Sequence, residues 1–237
     1  MIRPTPAQRG QFEAEGCLTL AQALPSAQLQ QVQQVFDRCA REAKPQWLEG
    51  VAQGRAPAAY FDLPHPLECD PLFIDLVDHP SYYGLLMDFT GGELLFLGPQ
   101  FRTLPPSPLS YVGWHYDVER SNPLHLKVQL YLNDVGADEG AFAYVPGSHL
   151  PEAGPYPLVR RLESMPGHRV FYGRAGDAVL FNSYGMHTSM VNKTPRPRRS
   201  IILIYEQRTP AQVSPQRFAA LADRLLTPER RRLFGLE

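Results

Sequence analysis

Leu126-Lys127-Val128-Gln129-Leu130-Tyr131-Leu132 alternates apolar and polar or amphipathic residues and ends on the turn pair Asn133-Asp134. A period of two is the signature of a strand whose side chains point to opposite faces. Shorter runs of the same kind lie on both sides, at 94–97, 111–114, 141–145, 170–172, 178–181 and 201–205. Glu139-Gly140 and Ala175-Gly176-Asp177 supply turn chemistry between them. About seven or eight short strands in succession predict a mainly β chain folded as a double-sheet jelly roll. Lys127, Gln129 and Tyr131 share one face of their strand, which reads either as the lining of a pocket or as an outer face.

Helices are expected on either flank. Ser26 is a good N-cap for the apolar stripe Leu29, Val32, Phe36 and Cys39, and Pro45 is expected to end that helix. Residues 47–71 read as a long ordered loop. A second helical stretch over about 72–89 stops at Thr90-Gly91-Gly92, with a break at His79-Pro80. Ser214-Pro215 and Thr227-Pro228 each read as an N-cap followed by Pro at the first helical position. The expectation is one domain over 1–237: a mostly helical part to residue 92, a jelly-roll core over 93–208 and short helices over 209–237.

The chain of 237 residues is long enough for a substantial core. Lys and Arg number 23 against 24 Asp and Glu, a net charge of -1, which argues against nucleic acid held by bulk electrostatics. No apolar run approaches the ~18 residues of a membrane span, and the first residues lack the apolar core of a signal peptide. The three cysteines, Cys17, Cys39 and Cys69, have no metal-type spacing and read as reduced thiols of a cytoplasmic protein.

The chemistry is concentrated in His115-Tyr116-Asp117 and in His187 of Tyr184-Gly185-Met186-His187-Thr188-Ser189. Two histidines and a carboxylate form the facial triad that holds non-haem Fe(II) with positions left open. On an extended strand His115 and Asp117 would share a face and reach one metal, with His187 completing the set from another strand.

The surrounding motifs carry a resemblance. Trp114-His115-Tyr116-Asp117, Gly140, Pro146-Gly147-Ser148-His149, Gly176-Asp177, His187-Thr188-Ser189, Asn192-Lys193-Thr194 and Arg198 occur in this order. The pattern resembles the phytanoyl-CoA dioxygenase family of Fe(II)/2-oxoglutarate oxygenases, which includes ectoine hydroxylase, and it covers nearly the whole chain. The segments 12–17 and His79-Pro80, each leading into a helix, are similar as well. The resemblance implies a double-stranded β-helix with helices on its outer sheet, and Fe(II), 2-oxoglutarate and O2 as the reaction partners. It implies His115, Asp117 and His187 as metal ligands and catalytic centre. It also implies Arg198 for the far carboxylate of 2-oxoglutarate, with Ser189 as its hydroxyl partner and Arg102 as a further basic contact. A guanidinium suits a carboxylate because its paired donors match the two oxygens. Arg196 and Arg199 are rivals of Arg198, and strand alternation sends Arg198 and Arg199 to opposite faces.

Asp117 carries a second implication, since related halogenases have a small residue in its place; hydroxylation of an unactivated C–H bond is the expected outcome. The substrate is expected to be a small metabolite or natural-product intermediate, met by loops at 47–71, 104–110, 118–124 and 150–167, the last with Arg160 and Arg161. A monomer or homodimer is expected. The remaining histidines, His65, His79, His125, His149 and His168, read as structural, and Trp114 as core. The alternative is a metal-binding jelly roll or a cupin-type dioxygenase or isomerase without 2-oxoglutarate.

Overall fold

The computed structural model describes residues 2–106, 113–157 and 164–237. Its frame is an antiparallel pair of sheets. The larger has six strands in the order β1 (Cys17–Leu20), β7 (Ala178–Asn182), β4 (His125–Tyr131), β9 (Arg198–Gln207), β3 (Leu94–Leu104) and β2 (Phe61–Asp62). The smaller has three, β6 (Arg169–Phe171), β5 (Phe142–Tyr144) and β8 (His187–Ser189). Two sheets facing each other make the expected jelly roll.

Strand β4 shows how the sequence pattern is used. Every one of its residues is buried, so its two faces are distinguished by what covers them, not by water. Leu126, Val128, Leu130 and Leu132 join the main core with Leu180 of β7, Leu203 of β9, the helical residues Val32 and Phe36, and Leu76 of a turn. The opposite face carries His125, Lys127, Gln129 and Tyr131 toward the smaller sheet, so these residues are interior and the outer-face reading is corrected. Tyr131 ties the two sheets together. Its hydroxyl donates to Phe171 O at 2.8 Å and accepts from Phe142 N at 3.0 Å.

The helices cover the outer face of the larger sheet. Helix α1 (Pro6–Glu15) begins at a capping box of Thr5 and Gln8, and ends at Gly16 in the left-handed conformation that glycine tolerates. The chain then enters β1, which pairs with β7, so the segment 12–17 leads first into a strand and only then into a helix. Helix α2 (Ser26–Ala52) buries Val32, Phe36 and Cys39 and runs through Pro45, which was expected to end it. An interior proline costs roughly 3 kcal/mol, and contacts beyond it offset this. Trp47 stacks at a tilt on Phe61 with centroids 5.3 Å apart, and its indole N–H donates to Pro57 O at 3.1 Å.

The expected loop at 47–71 therefore contains the end of α2, strand β2 and α3 (Pro66–Cys69). The stretch at 72–89 does break at His79-Pro80, leaving a 3-10 turn at Pro71–Phe73 and α4 (Tyr83–Phe89). At the C-terminal end, Pro210–Gln212 and Pro215–Arg224 are 3-10 turns and Pro228–Leu233 forms α5, capped by the Thr227 hydroxyl. Residues 107–112 and 158–163 lie outside the described part, so the expected strand at 111–114 is described only at Gly113 and Trp114, neither of which is in a strand. Arg160 and Arg161 lie outside it as well.

Tyr131→Phe should leave Phe142 N–H and Phe171 C=O without their buried partner, at about 1–3 kcal/mol. The melting temperature should fall by roughly 2–4 °C per kcal/mol for a chain of this size. An unchanged melting curve would show that the hydroxyl does not tie the sheets.

Candidate metal centre

His115 and His187 face each other across an isolated antiparallel bridge. His115 N donates to His187 O and His187 N to His115 O, both at 3.0 Å. The expected regular strand through 115–117 is absent: His115 is a bridge residue and Asp117 sits in the bend after it. Asp117 N donates to Ser183 O at 3.3 Å, which swings its carboxylate back to the histidines.

Both imidazoles are oriented from their own backbone. His115 Nδ1 lies 2.8 Å from Gly113 O, and His187 Nδ1 lies 2.9 Å from Gly185 O. A carbonyl only accepts, so Nδ1 carries a proton and Nε2 is the ring nitrogen turned toward Asp117. Those Nε2 atoms meet Asp117, at 3.7 Å from His115 to Oδ1 and 3.1 Å from His187 to Oδ2. The latter approach is not aligned as a hydrogen bond, and Asp117 Oδ2 is buried without a hydrogen-bond partner among the described residues. The three donor atoms lie within 4.8 Å of one another. Two imidazole lone pairs and one carboxylate oxygen converging on one point fit a first-row divalent ion that prefers nitrogen and oxygen ligands.

Charge at this point is strongly coupled. Burial alone would raise the Asp117 carboxyl, but His187, His115 and Lys127 outweigh it and hold it well below the usual carboxylate range. Burial lowers His187 below an ordinary histidine, against the pull of Asp117. The depressed carboxyl keeps Asp117 anionic, the form in which it binds a metal.

A cavity of about 220 Å³ opens beside these residues, lined among others by Tyr60, Gln100, Arg102, Lys127, Gln129, Phe142 and Ser189. Ser189 lies two residues beyond His187 on β8, roughly 7 Å along an extended strand. Its hydroxyl accepts from Arg198 Nη2 at 3.2 Å. Arg198 is 1% exposed, and its other partners are Gly140 O and the Ser200 hydroxyl. Among the described residues all three partners are neutral, and Arg198 Nε has none. Burial lowers this guanidinium to about 10, so it stays cationic at neutral pH.

The rival arginines point elsewhere: Arg199 pairs with Asp37 at the surface, and Arg196 with Glu139 at 2.6 Å. Arg102 does reach the cavity, but Asp62 holds its fork through two 2.7 Å bonds and the Tyr60 ring lies 4.0 Å beneath it. His149 is structural, with Nε2 3.1 Å from Glu13 O. Trp114 packs with Ala143, Val145, Met165 and Met186.

The sequence pattern left two residues of the site open. Lys127 Nζ lies 2.8 Å from Asp117 Oδ1. Gln129 is buried, and its Nε2 has no hydrogen-bond partner among the described residues. The available signal was polar residues alternating within a strand whose intervening positions are all apolar. His125, on the same face, is buried, and its imidazole is lowered to about 4, first by burial and then by Lys127.

An unfolded histidine takes up a proton near pH 6.5, whereas folded His125 does not until about pH 4. The unfolded state is therefore favoured as pH falls through that window, by roughly 3 kcal/mol in all. Urea unfolding at pH 7 and pH 5 should show the first part of this loss, about 2 kcal/mol, and His125→Asn should remove most of it; an unchanged pH dependence in the variant would assign the loss to other groups. Gly185 is a second sensitive point: a Cβ there would overlap the Tyr144 hydroxyl. Since Gly185 O orients His187, Gly185→Ala should weaken Co(II) binding measured by calorimetry as well as stability.

Residues 12–200 match the family description "Phytanoyl-CoA dioxygenase (PhyH)". The chain is 28% identical over 179 residues to the ectoine dioxygenase of Nocardia farcinica, a match spanning 63% of this chain and 59% of that protein. It is 24% identical over 255 residues to the L-proline trans-4-hydroxylase of Streptomyces griseoviridis, covering 92% of each. Among solved structures, HygX from Streptomyces hygroscopicus with nickel, 2-oxoglutarate and hygromycin B bound has a TM-score of 0.67 at 17% identity, over 86% of this chain and 87% of that one. That likeness shows the shared jelly-roll fold. With most of its length matched and a two-histidine, one-carboxylate cluster at the mouth of the roll, the chain belongs to the phytanoyl-CoA dioxygenase family of Fe(II)- and 2-oxoglutarate-dependent oxygenases.

Proposed function

We propose that the protein hydroxylates an unactivated C–H bond of a small polar molecule, with His115, Asp117 and His187 holding Fe(II). When bound, Fe(II) and 2-oxoglutarate supply O2-driven oxidation coupled to release of succinate and CO2. The chain's own contribution is to bind, orient and exclude water. The observation that carries this reading is Arg198, a fully buried cation whose hydrogen-bond partners among the described residues are all neutral. A buried charge is costly unless it is paired, and the far carboxylate of 2-oxoglutarate is the matching anion. Ser189, bonded to Arg198 and on the strand of His187, adds a hydroxyl to the same carboxylate. The unpartnered Gln129 Nε2 gives a donor between the two ends. Arg102, with its fork taken by Asp62, contributes positive potential at the wall and keeps Tyr60 in place.

A carboxylate at position 117 supports oxygenation over halogenation, because it takes the place that a small residue leaves to a halide. The ectoine dioxygenase and the L-proline hydroxylase are named for compact polar molecules, and the HygX structure holds hygromycin B. These names support a small polar substrate here, either a metabolite or a natural-product intermediate. Cys17, Cys39 and Cys69 are free thiols, which suits a reducing cytoplasm. Among the described residues no helix is long and apolar enough to cross a membrane.

The test is anaerobic absorption spectroscopy of the metal-free protein given Fe(II) and then 2-oxoglutarate. A weak visible charge-transfer band that requires both is expected. In Arg198→Ala the 2-oxoglutarate concentration for half the band should rise at least about thirtyfold, the equivalent of ~2 kcal/mol lost with a buried charged partner. Fe(II) binding without a band at high 2-oxoglutarate would overturn the co-substrate reading in favour of a cupin-like role. Asp117→Ala should abolish 2-oxoglutarate-dependent succinate formation; substantial turnover would remove Asp117 from the ligand set.

A further inference from the structure

We infer that Lys127 is the positioning residue of the metal carboxylate: it holds Asp117 Oδ1 so that Oδ2 alone is presented to the metal. The inference rests on the reading of His115, Asp117 and His187 as the ligand set, and it concerns what keeps the third ligand in place.

Each histidine of the set has a local anchor, the carbonyl two residues before it, at 2.8 Å for His115 and 2.9 Å for His187. Asp117 has none of that kind. It sits in a bend, its backbone N–H makes one long bond of 3.3 Å to Ser183 O, and its neighbour Tyr116 is exposed. A carboxylate on such a segment can swing between rotamers unless a side chain from elsewhere holds it. Lys127 is that side chain, with Nζ 2.8 Å from Oδ1 and side chains 9% and 16% exposed for Lys127 and Asp117.

The lysine itself has a rigid base. It projects from the middle of β4, paired with Phe181 of β7 on one side and Ile204 of β9 on the other. Its only salt-bridge partner among the described residues is Asp117. The two oxygens of Asp117 are therefore divided. Oδ1 is taken by an ammonium group, while Oδ2 is buried, receives no hydrogen bond and lies 3.1 Å from His187 Nε2. The division favours one carboxylate oxygen as the ligand and leaves the remaining positions to the co-substrate and O2. Groups that orient metal ligands in this way typically change metal affinity by about 10–100-fold.

The experiment compares Co(II) affinity, by calorimetry and by the visible Co(II) spectrum, in wild type, Lys127→Met, Asp117→Ala and the double variant. The circular dichroism and melting curve of each metal-free protein establish that it is folded. Lys127→Met should bind Co(II) about 10–100-fold more weakly, with a changed visible spectrum. In the Asp117→Ala background the same substitution should cause no further loss, because the lysine acts only through that carboxylate. Unchanged or tighter binding in Lys127→Met, or a full additional loss in the double variant, overturns the inference. If Lys127→Met does not fold, Lys127→Gln, which keeps a donor without the charge, carries the same comparison and should fall between wild type and Asp117→Ala. Failure of the wild type to bind Co(II) would instead overturn the metal-centre reading itself.

Discussion

The site depends on two backbone hydrogen bonds, His115 N to His187 O and His187 N to His115 O, each 3.0 Å. They fasten the segment leading into the bend at Asp117 to strand β8 and bring the two imidazoles to a centroid separation of 4.4 Å. Each ring is then turned by the carbonyl two residues before it. The donor geometry of the histidines is therefore set by main chain, which is harder to displace than a side chain and needs no further residue to maintain it. The same bridge places Ser189 deeper along β8, where it meets Arg198.

Charge is arranged around that geometry with little excess. Lys127 is matched by Asp117 and Arg102 by Asp62, both at short distance within the cavity wall. Arg198 is the exception, held by a carbonyl and two hydroxyls. Arg198 adjoins the cavity through Ser189, which lines its wall, so the two cations inside the wall are paired and the cation behind Ser189 is held by neutral groups. The cavity is polar because the sheet is built with its apolar residues outward, against the helices, and its polar residues inward, toward the smaller sheet.

Much of this was legible in the chain itself. The residue types and spacing of His115, Asp117 and His187 singled out three side chains that the structure brings together, although the geometry that unites them is a bridge and a bend where a continuous strand was expected. Alternation along β9 separated Arg198 from Arg199, and the structure buries the first while pairing the second with Asp37. The proline rule failed at Pro45 because a local penalty was offset by Trp47 packing on Phe61 beyond it. Strands β1 and β2 escaped notice because each is short and exists only through hydrogen bonds to a distant neighbour, β7 or β3.

By itself the sequence determined what depends on local spacing: period-two strands, turn positions, and a donor set with the right chemistry for one divalent ion. Only the tertiary structure decided which face of β4 is the interior. Alternation states that Lys127 and Gln129 share a face but carries no sign, and the sign comes from the helices that cover the other side. The pairing of Lys127 with Asp117 was decided in the same way. An ion pair needs two side chains to meet, and the meeting of a strand residue with a bend residue is a property of the closed roll and not of either segment.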